Sequence, residues 1–426
     1  MTVMPMWATF RAIDSRAGER ATDLPLLSVS QYRGVLLRSE IDDAAPRAED
    51  LGIYKTCRPG DLVLNRMSAY KGAVGVSPLE GLVSPDYLVM RPTSLADPEY
   101  LTYLIKTPWF VSQMTSLLRG IGSAEGSNVR TPRIGLSELG SIKFDFPSPR
   151  LQSEIVSYLS RETAEIDAFI ADQEELIGLL AERRAATISH AVTKGLDPTV
   201  PMKDSGVEWV DQMPQHWQSI PLRRLAPLYE SGTSVNGYQT RAVEAEIGVL
   251  KTGSVSKAFF DPSENKRVID EDLGRVTGAV RSGSLLINRA NTPDLVGTGA
   301  LVDKGSDYLF LSDKLWQIEF PHSENAFVYY WTRSDYYRAQ LRSLSVGASA
   351  TMQNLSFQDF LSLRIVVPSR AEQHSLVRYL DRHIAEFDAT IADAKEAIAL
   401  SRERRAALIS AAVTGKIDVR EHGAVA

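Results

Sequence analysis

Two glycine-led segments carry side chains able to pair with base edges. Gly126-Ser-Asn-Val-Arg-Thr-Pro-Arg-Ile134 holds Asn128, Arg130 and Arg133, and Gly347-Ala-Ser-Ala-Thr-Met-Gln-Asn-Leu355 holds Ser349, Thr351, Gln353 and Asn354. Arg, Asn, Gln, Ser and Thr read DNA through paired hydrogen bonds. For any one of these residues a solvated polar loop is the plainer reading, so the signal lies in the set and its recurrence. Arg66 and Arg289 form a second pair. Each follows an Asn in matching runs, Gly60-Asp-Leu-Val-Leu-Asn65-Arg66 and Gly283-Ser-Leu-Leu-Ile-Asn288-Arg289. Structural pairing and phosphate contact are equally open there.

Catalytic chemistry finds little footing. The chain has no Cys-X-X-Cys, no His-Glu-X-X-His and no Gly-X-X-X-X-Gly-Lys phosphate loop. Its six histidines do not pair at metal-ligand spacing. Gly297-Thr-Gly299 resembles a cofactor-binding glycine turn, but Asp303 follows too soon for a helix and second strand to intervene. Pro85-Asp86 and Pro293-Asp294 lack the Asp/Glu-X-Lys of a metal nuclease, and no Pro-Pro dipeptide suggests an adenine methyltransferase motif. No catalytic residue and no metal ligand is expected.

An internal repeat positions the candidate residues. Aligning Pro147-Ser148 with Pro368-Ser369 gives a gapless register to Asp197 against Asp418, with 28 of 51 positions identical. Glu182-Arg183-Arg184-Ala185-Ala186 matches Glu403-Arg404-Arg405-Ala406-Ala407. Each copy reads as a long helix. One seam runs through Ile384, Phe387, Ile391, Ala394, Ile398 and Ser401, and resumes at Leu408 after Arg405 interrupts it. The other runs through Ile166, Ile170, Gln173, Ile177, Leu180 and Thr187. Steps of three and four residues are those of a heptad seam. Glycine stops each helix, at Lys194-Gly195 and Gly415-Lys416. The two seams predict that the helices pair as a coiled coil, antiparallel if the two modules sit at opposite ends. The arginine pairs Arg183-Arg184 and Arg404-Arg405 suit ion pairs or partner contacts.

Before each helix lies a segment of short apolar runs bounded by Gly and Pro, the mark of short strands. Asp61–Leu64, Tyr87–Met90, Ser284–Ile287 and Leu363–Val367 are examples, with helical stretches at Pro98–Leu118 and Ala326–Leu344. The expected fold class is α+β: two globular mixed α/β domains, at 1–146 and 204–367, each followed by a helical segment, at 147–203 and 368–426.

Composition agrees with several ordered domains. The 426 residues are 44% hydrophobic and 23% charged, which argues against wholesale disorder. The lone Cys57 rules out an intrachain disulfide framework and suits a reducing, cytoplasmic setting. No apolar run reaches the ~18–20 residues that span a bilayer, and no signal peptide is expected in Met1–Arg20. The net charge of −6 argues at first against nucleic acid. Its distribution removes that objection without arguing the opposite. Residues 147–210 hold 11 acids against 6 bases, whereas 1–146 hold 16 of each and 211–367 hold 17 acids against 16 bases.

Three further motifs point to a family. Gln-X-X-(Ile/Leu)-Val-X-Tyr-Leu occurs at Gln152–Leu159 and Gln373–Leu380, and Glu-Arg-Arg-Ala-Ala occurs in both copies. Asp204-Ser-Gly-Val-Glu-Trp-Val210 precedes Met213-Pro-Gln-His-Trp217. In these residues, and over almost its whole length, the chain resembles the specificity subunit of type I restriction–modification systems. One departure is that no Gly-Val-Glu-Trp leader precedes the first domain.

The resemblance implies two target-recognition domains, each binding one half of a split asymmetric double-stranded DNA target. It implies that the helices set the separation and recruit two modification subunits, joined later by restriction subunits. S-adenosylmethionine, ATP and Mg would then be held by those partners and none by this chain. Three alternatives remain at this stage: a related system with modification and restriction fused in one partner chain, a DNA-processing enzyme whose active site carries none of the motifs above, and a two-ended scaffold with no DNA role.

Overall fold

The computed structural model describes residues 2–31, 33–41, 50–118, 133–243, 245–344 and 352–422. The chain folds as two compact units. Unit 1 is Met1–Gln173 with Lys395–Ala426, and unit 2 is Glu174–Ala394. Each unit thus holds one globular domain, the first part of the long helix that follows it, and the last part of the other long helix.

The long helices span Pro149–Lys194 and Arg370–Val413. Ser148 and Ser369 start them. The Ser148 hydroxyl accepts from Leu151 N at 3.4 Å, and that of Ser369 from Glu372 N at 3.3 Å, satisfying N–H groups that a helix start leaves unpaired. Both helices end where glycine takes a left-handed φ, at Gly195 (76°) and Gly415 (72°). A side chain with a Cβ is strained in that conformation, so the stop is built into the sequence.

Unit 1 is built on an antiparallel four-stranded sheet in the spatial order Phe10–Ile13, Tyr87–Pro92, Leu62–Asn65, Val74–Val76. Gly60, at φ 85°, makes the turn into Leu62–Asn65. Thr2–Pro5 pairs antiparallel with Lys143–Phe146, which leads directly into the first long helix. The core joins sheet residues Leu62, Leu64 and Met90 to Ile155 and Leu159 of that helix, and to Ile409, Ala412 and Val413 of the second.

Unit 2 repeats this plan. Its sheet runs Leu228–Ser231, Leu315–Glu319, Leu285–Asn288, Gly299–Leu301, all antiparallel. Gly283, at φ 76°, makes the turn into Leu285–Asn288. Gln218–Pro221 pairs with Arg364–Val367 before the second long helix. Leu376, Leu380 and Ile384 of that helix share the core with Ile188, Ala191 and Val192 of the first. A second sheet, in which Gly248–Leu250 runs parallel to Ser306–Phe310, has its counterpart in unit 1 in the pairs Leu27–Ser30 with Gly34–Leu37 and Lys55–Cys57 with Gly81–Val83, which a single parallel bridge joins at Leu26 and Leu82. The Asp204–Trp217 junction is a hairpin of Met202–Val207 with Val210–Pro214. Trp217 is fully buried, and its Nε1 donates to Glu372 Oε1 at 3.0 Å.

Each helical stretch read as continuous is broken once. Pro98–Lys106 and Pro108–Ser116 meet at Thr107, which is extended (ψ 145°) as a residue before proline should be. Thr107 Oγ1 caps the second piece by accepting from Phe110 N. In unit 2, Asn325–Thr332 and Asp335–Leu344 flank Ser334, whose hydroxyl accepts from Tyr337 N at 3.4 Å.

Candidate nucleic-acid interface

In both units the strand after the turn glycine ends in Asn-Arg, and that end meets the segment following the polar loop. In unit 1 the half-buried Arg66 donates through Nε to Ile134 O at 2.9 Å, while Ile134 N donates to Arg66 O at 3.3 Å. Arg133, exposed, stands one residue before this junction. Asn128 and Arg130 lie outside the described residues. Asn65 Oδ1 accepts from Met67 N at 3.1 Å and shapes the bend that carries Arg66.

In unit 2 Leu355 N donates to Arg289 O at 2.8 Å, the same backbone contact. A short antiparallel pairing extends it, Ala290 opposite Asn354 and Asn291 opposite Gln353. The loop-derived Gln353 and Asn354 are thereby brought to Arg289. Gln353 is half-buried and Asn354 exposed. Ser349 and Thr351 lie outside the described residues. The Arg289 guanidinium sits 5.7 Å from the Trp316 ring centroid. Arg289 Nε, Asn288 Nδ2 and Gln353 Oε1 are buried with no hydrogen-bond partner among the described residues. Most buried polar groups are paired, so three orphans at one strand end call for an explanation.

Two features of this region escaped the sequence reading. Trp316 packs edge-on against Phe357, which stacks at 3.6 Å on the half-exposed Tyr229. Asp61, buried, takes two bonds from Arg91, at 2.8 and 2.9 Å, and one from Arg58 N. The Asp61 carboxylate raises the Arg91 pKa above its ordinary value by holding the charged guanidinium. In unit 2 Ser284 stands at the Asp61 place and its Oγ donates to Gln317 Oε1 at 2.9 Å, while Glu319, at the Arg91 place, pairs with Arg281 at 2.9 Å. No signal in the sequence joins Asp61 to a residue thirty positions away.

Along the helices the seam residues are the sheltered ones. Ile384, Ala394 and Ile398 are buried. Phe387, Ile391, Ile166, Ile170, Ile177 and Leu180 are half-buried between exposed neighbours. Arg184 and Arg405 lie on the seams and are paired. Arg184 Nη1 reaches Asp388 Oδ1 at 2.6 Å, and Arg405 reaches both oxygens of Asp167 at 2.8 and 3.1 Å. Arg183 lies over the Phe387 ring at 5.8 Å, and Arg404 is exposed. Within unit 2, Arg184 meets Asp388 while Gly195 lies near Glu372, so the two helix segments run antiparallel.

Buried glutamines fasten each domain to its own helix. Gln152 Nε2 donates to Leu95 O and Pro147 O at 2.8 and 3.0 Å, and its Oε1 accepts from Asp97 N at 2.7 Å. Gln373, the repeat equivalent, donates to Pro368 O and accepts from Ser323 Oγ and Glu324 N. Each domain also bonds to the other long helix, through residues that are not repeat equivalents. Tyr100 donates to Val413 O in unit 1, and Asp335 N donates to Ser189 Oγ in unit 2.

No family model matches the chain. Over 214 residues it is 23% identical to the type I restriction enzyme EcoEI specificity subunit of Escherichia coli, covering 49% of this chain and 35% of that protein. Over 91 residues it is 32% identical to the StySPI specificity subunit of Salmonella potsdam, covering 21% and 19%. Its relatives are type I specificity subunits. The chain spans about a third or less of the length of these curated relatives. A chain from a structure of a type I restriction–modification system, described for its complex assembly and conformational transition, shares the fold. That match has a TM-score of 0.65 at 16% identity and covers 98% of both chains. The fold shared with that chain is mixed α/β domains with a long central and a long C-terminal helix. Among the described residues no helix is long and apolar enough to cross a membrane, and no group of His, Cys, Asp and Glu could hold a metal ion.

Proposed function

We propose that the chain is the DNA-reading specificity subunit of a type I restriction–modification complex and carries out no catalysis itself. Residues 1–146 and 204–367 each read one half of a split asymmetric double-stranded target. Segments 147–203 and 368–426 set the spacing and recruit two modification subunits, which methylate adenine, and then restriction subunits. Arg183 and Arg404, exposed on equivalent helix positions, are candidates for those partner contacts. S-adenosylmethionine, ATP and Mg belong to the partners.

The observation that carries this reading is one framework used twice with different chemistry at its loop base. Strand order, turn glycine, anchoring glutamine and Asn-Arg strand end recur. The side chains delivered beside that end differ: Arg133 in unit 1, Gln353 and Asn354 in unit 2. A duplicated frame with unlike readers suits two unlike half-sites. Helices of 46 and 44 residues measure roughly 65–70 Å at ~1.5 Å per residue, on the order of two turns of B-DNA. The near-neutral readers neutralise little phosphate, so tight binding depends on the partner subunits.

Methylome sequencing of cells carrying this chain with a cognate modification subunit tests the proposal. A split, asymmetric adenine-methylated motif is expected. Methylation without a motif, or at an unsplit palindrome, counts against it.

A further inference from the structure

The two strand-end arginines occupy equivalent places and are held differently. Arg66 spends its Nε on Ile134 O, and its own carbonyl accepts Ile134 N. The side chain closes a two-bond clamp between residues 68 positions apart. In unit 2 the backbone alone makes that junction, through Leu355 N to Arg289 O and the two residue pairs that follow. The Arg289 side chain is therefore not needed for it. Its guanidinium lies over Trp316, a buried ring braced by Phe357 at 5.1 Å and Phe360 at 5.9 Å. Stacking on a fixed ring orients a guanidinium while leaving its in-plane donors for a ligand. Arg289 Nε has no partner among the described residues, and neither does Gln353 Oε1 beside it.

We propose that Arg66 is a positioning residue for the Arg133–Ile134 segment of the first domain, whereas Arg289 itself donates to acceptor atoms of DNA in the second half-site. This rests on the function proposed above. The acceptors are phosphate oxygens or the edge of a guanine, which present the same chemistry to an arginine.

The test uses the full chain assembled with its modification subunits. Arg66→Ala, Arg66→Gln and Arg289→Ala are compared with the parent by equilibrium binding across a salt series and by competition with single-base variants of each half-site. Arg289→Ala is expected to flatten the slope of log affinity against log salt by about one if the acceptor is a phosphate. It is expected instead to lose roughly 5- to 150-fold discrimination at one position of the second half-site if the acceptor is a base. First half-site discrimination should persist and so report an intact fold. Arg66→Ala should lose discrimination in the first half-site only, with an unchanged salt slope. Arg66→Gln, which keeps a donor at that place, should recover part of it and serves if the alanine variant does not assemble. The inference is overturned if Arg289→Ala changes neither slope nor discrimination, or if Arg66→Ala flattens the slope with discrimination intact. A parent complex with no preference for a split target overturns the proposed function as well, so the two failures are distinguishable.

Discussion

Arg184 meets Asp388 at 2.6 Å, and the residues 221 positions away from each, Arg405 and Asp167, form the same ion pair at 2.8 Å. Each pair joins one repeat to the other. Side-chain exposures agree closely, 34% and 53% for the first pair and 33% and 53% for the second. Such half-exposed pairs are screened by solvent and are worth at most about 1 kcal/mol each. Their value is in register, since a cation on an apolar seam must meet a carboxylate on the facing helix. A double-mutant cycle on Arg184→Ala and Asp388→Ala by chemical denaturation is expected to give a coupling below about 1 kcal/mol. Arg184→Asp, which sets two carboxylates together, should cost more than Arg184→Ala, and Asp388→Arg should restore it. A charge reversal that the second change does not repair would deny the pairing.

The buried glutamines should matter more than these surface charges. Gln152→Ala strands two carbonyls and the Asp97 N–H in a buried place. The expected loss is about 2–4 kcal/mol, from the desolvation of groups left unpaired. Gln373→Ala should cost a similar amount in unit 2. Hydrogen exchange should show Gln152→Ala loosening Pro98–Lys106 while leaving Asn325–Thr332 protected, and Gln373→Ala the reverse. Uniform loosening in both variants would mean that the units do not fold on their own anchors.

What was legible in the sequence is what local chemistry and periodicity determine. Gly195 and Gly415 announce the C-terminal helix ends, and the three-four spacing marks the sheltered seam. The turn glycines Gly60 and Gly283 mark the strand that ends in Asn-Arg. What stayed hidden depends on distant partners. Arg405 reads as a break in the seam because Asp167, its counter-charge, lies 238 residues away. Gln152 and Gln373 are motif letters in the sequence, and only the fold shows the three groups each one satisfies. Arg289 and Trp316 are also unrelated by any spacing rule, so the difference between Arg66 and Arg289 emerges only from packing. The loop residues Asn128, Arg130, Ser349 and Thr351 fall outside the described residues and gain no structural account.

Three buried phenols set an alkaline limit on stability. Burial raises the pKa of Tyr100, Tyr330 and Tyr337, with Asp145 adding to the effect on Tyr100 and the bond to Asp381 adding to that on Tyr330. A pKa raised by folding means that the unfolded chain releases the proton first. The stabilisation is therefore fully present below the ordinary value of ~10 and is lost as pH rises through that value toward the folded ones. Denaturation midpoints are expected to hold steady up to about pH 9–10 and then fall. Ultraviolet titration should show these tyrosinates appearing only as the protein unfolds. Titration of all fifteen tyrosines near pH 10 in the folded protein would contradict the burial.

The C-terminal part of the second long helix belongs to the core of the first domain. Ile409, Ala412 and Val413 pack with Ile155, Leu159 and the unit 1 sheet, and Val413 O accepts from Tyr100. Ending the chain after Ala394 removes all of these contacts. Burial of an Ile or Val side chain contributes roughly 1.5–3 kcal/mol, so unit 1 should become protease-sensitive. Unit 2, complete within 174–394, should stay protected in the same digest. Loss of unit 2 with survival of unit 1 would reverse the assignment.

An exchange of reading domains should follow the same contacts. Replacing residues 211–367 with the corresponding domain of another specificity subunit leaves Ile188, Ala191 and Val192 to receive a foreign core. It also leaves Glu372 and Gln373 to anchor foreign loops, although Trp217, the partner of Glu372, would itself be exchanged. If each domain reads its own half-site, the modification subunits assembled with the chimaera should methylate a target with one half changed and the other preserved, provided that these core positions remain filled. A chimaera that assembles poorly should recover when its domain is given apolar residues matching the Ile188, Ala191 and Val192 face, because the defect would lie in packing rather than reading. A change in both halves, or in neither, from a well-assembled chimaera would mean that recognition is not divided between the two domains.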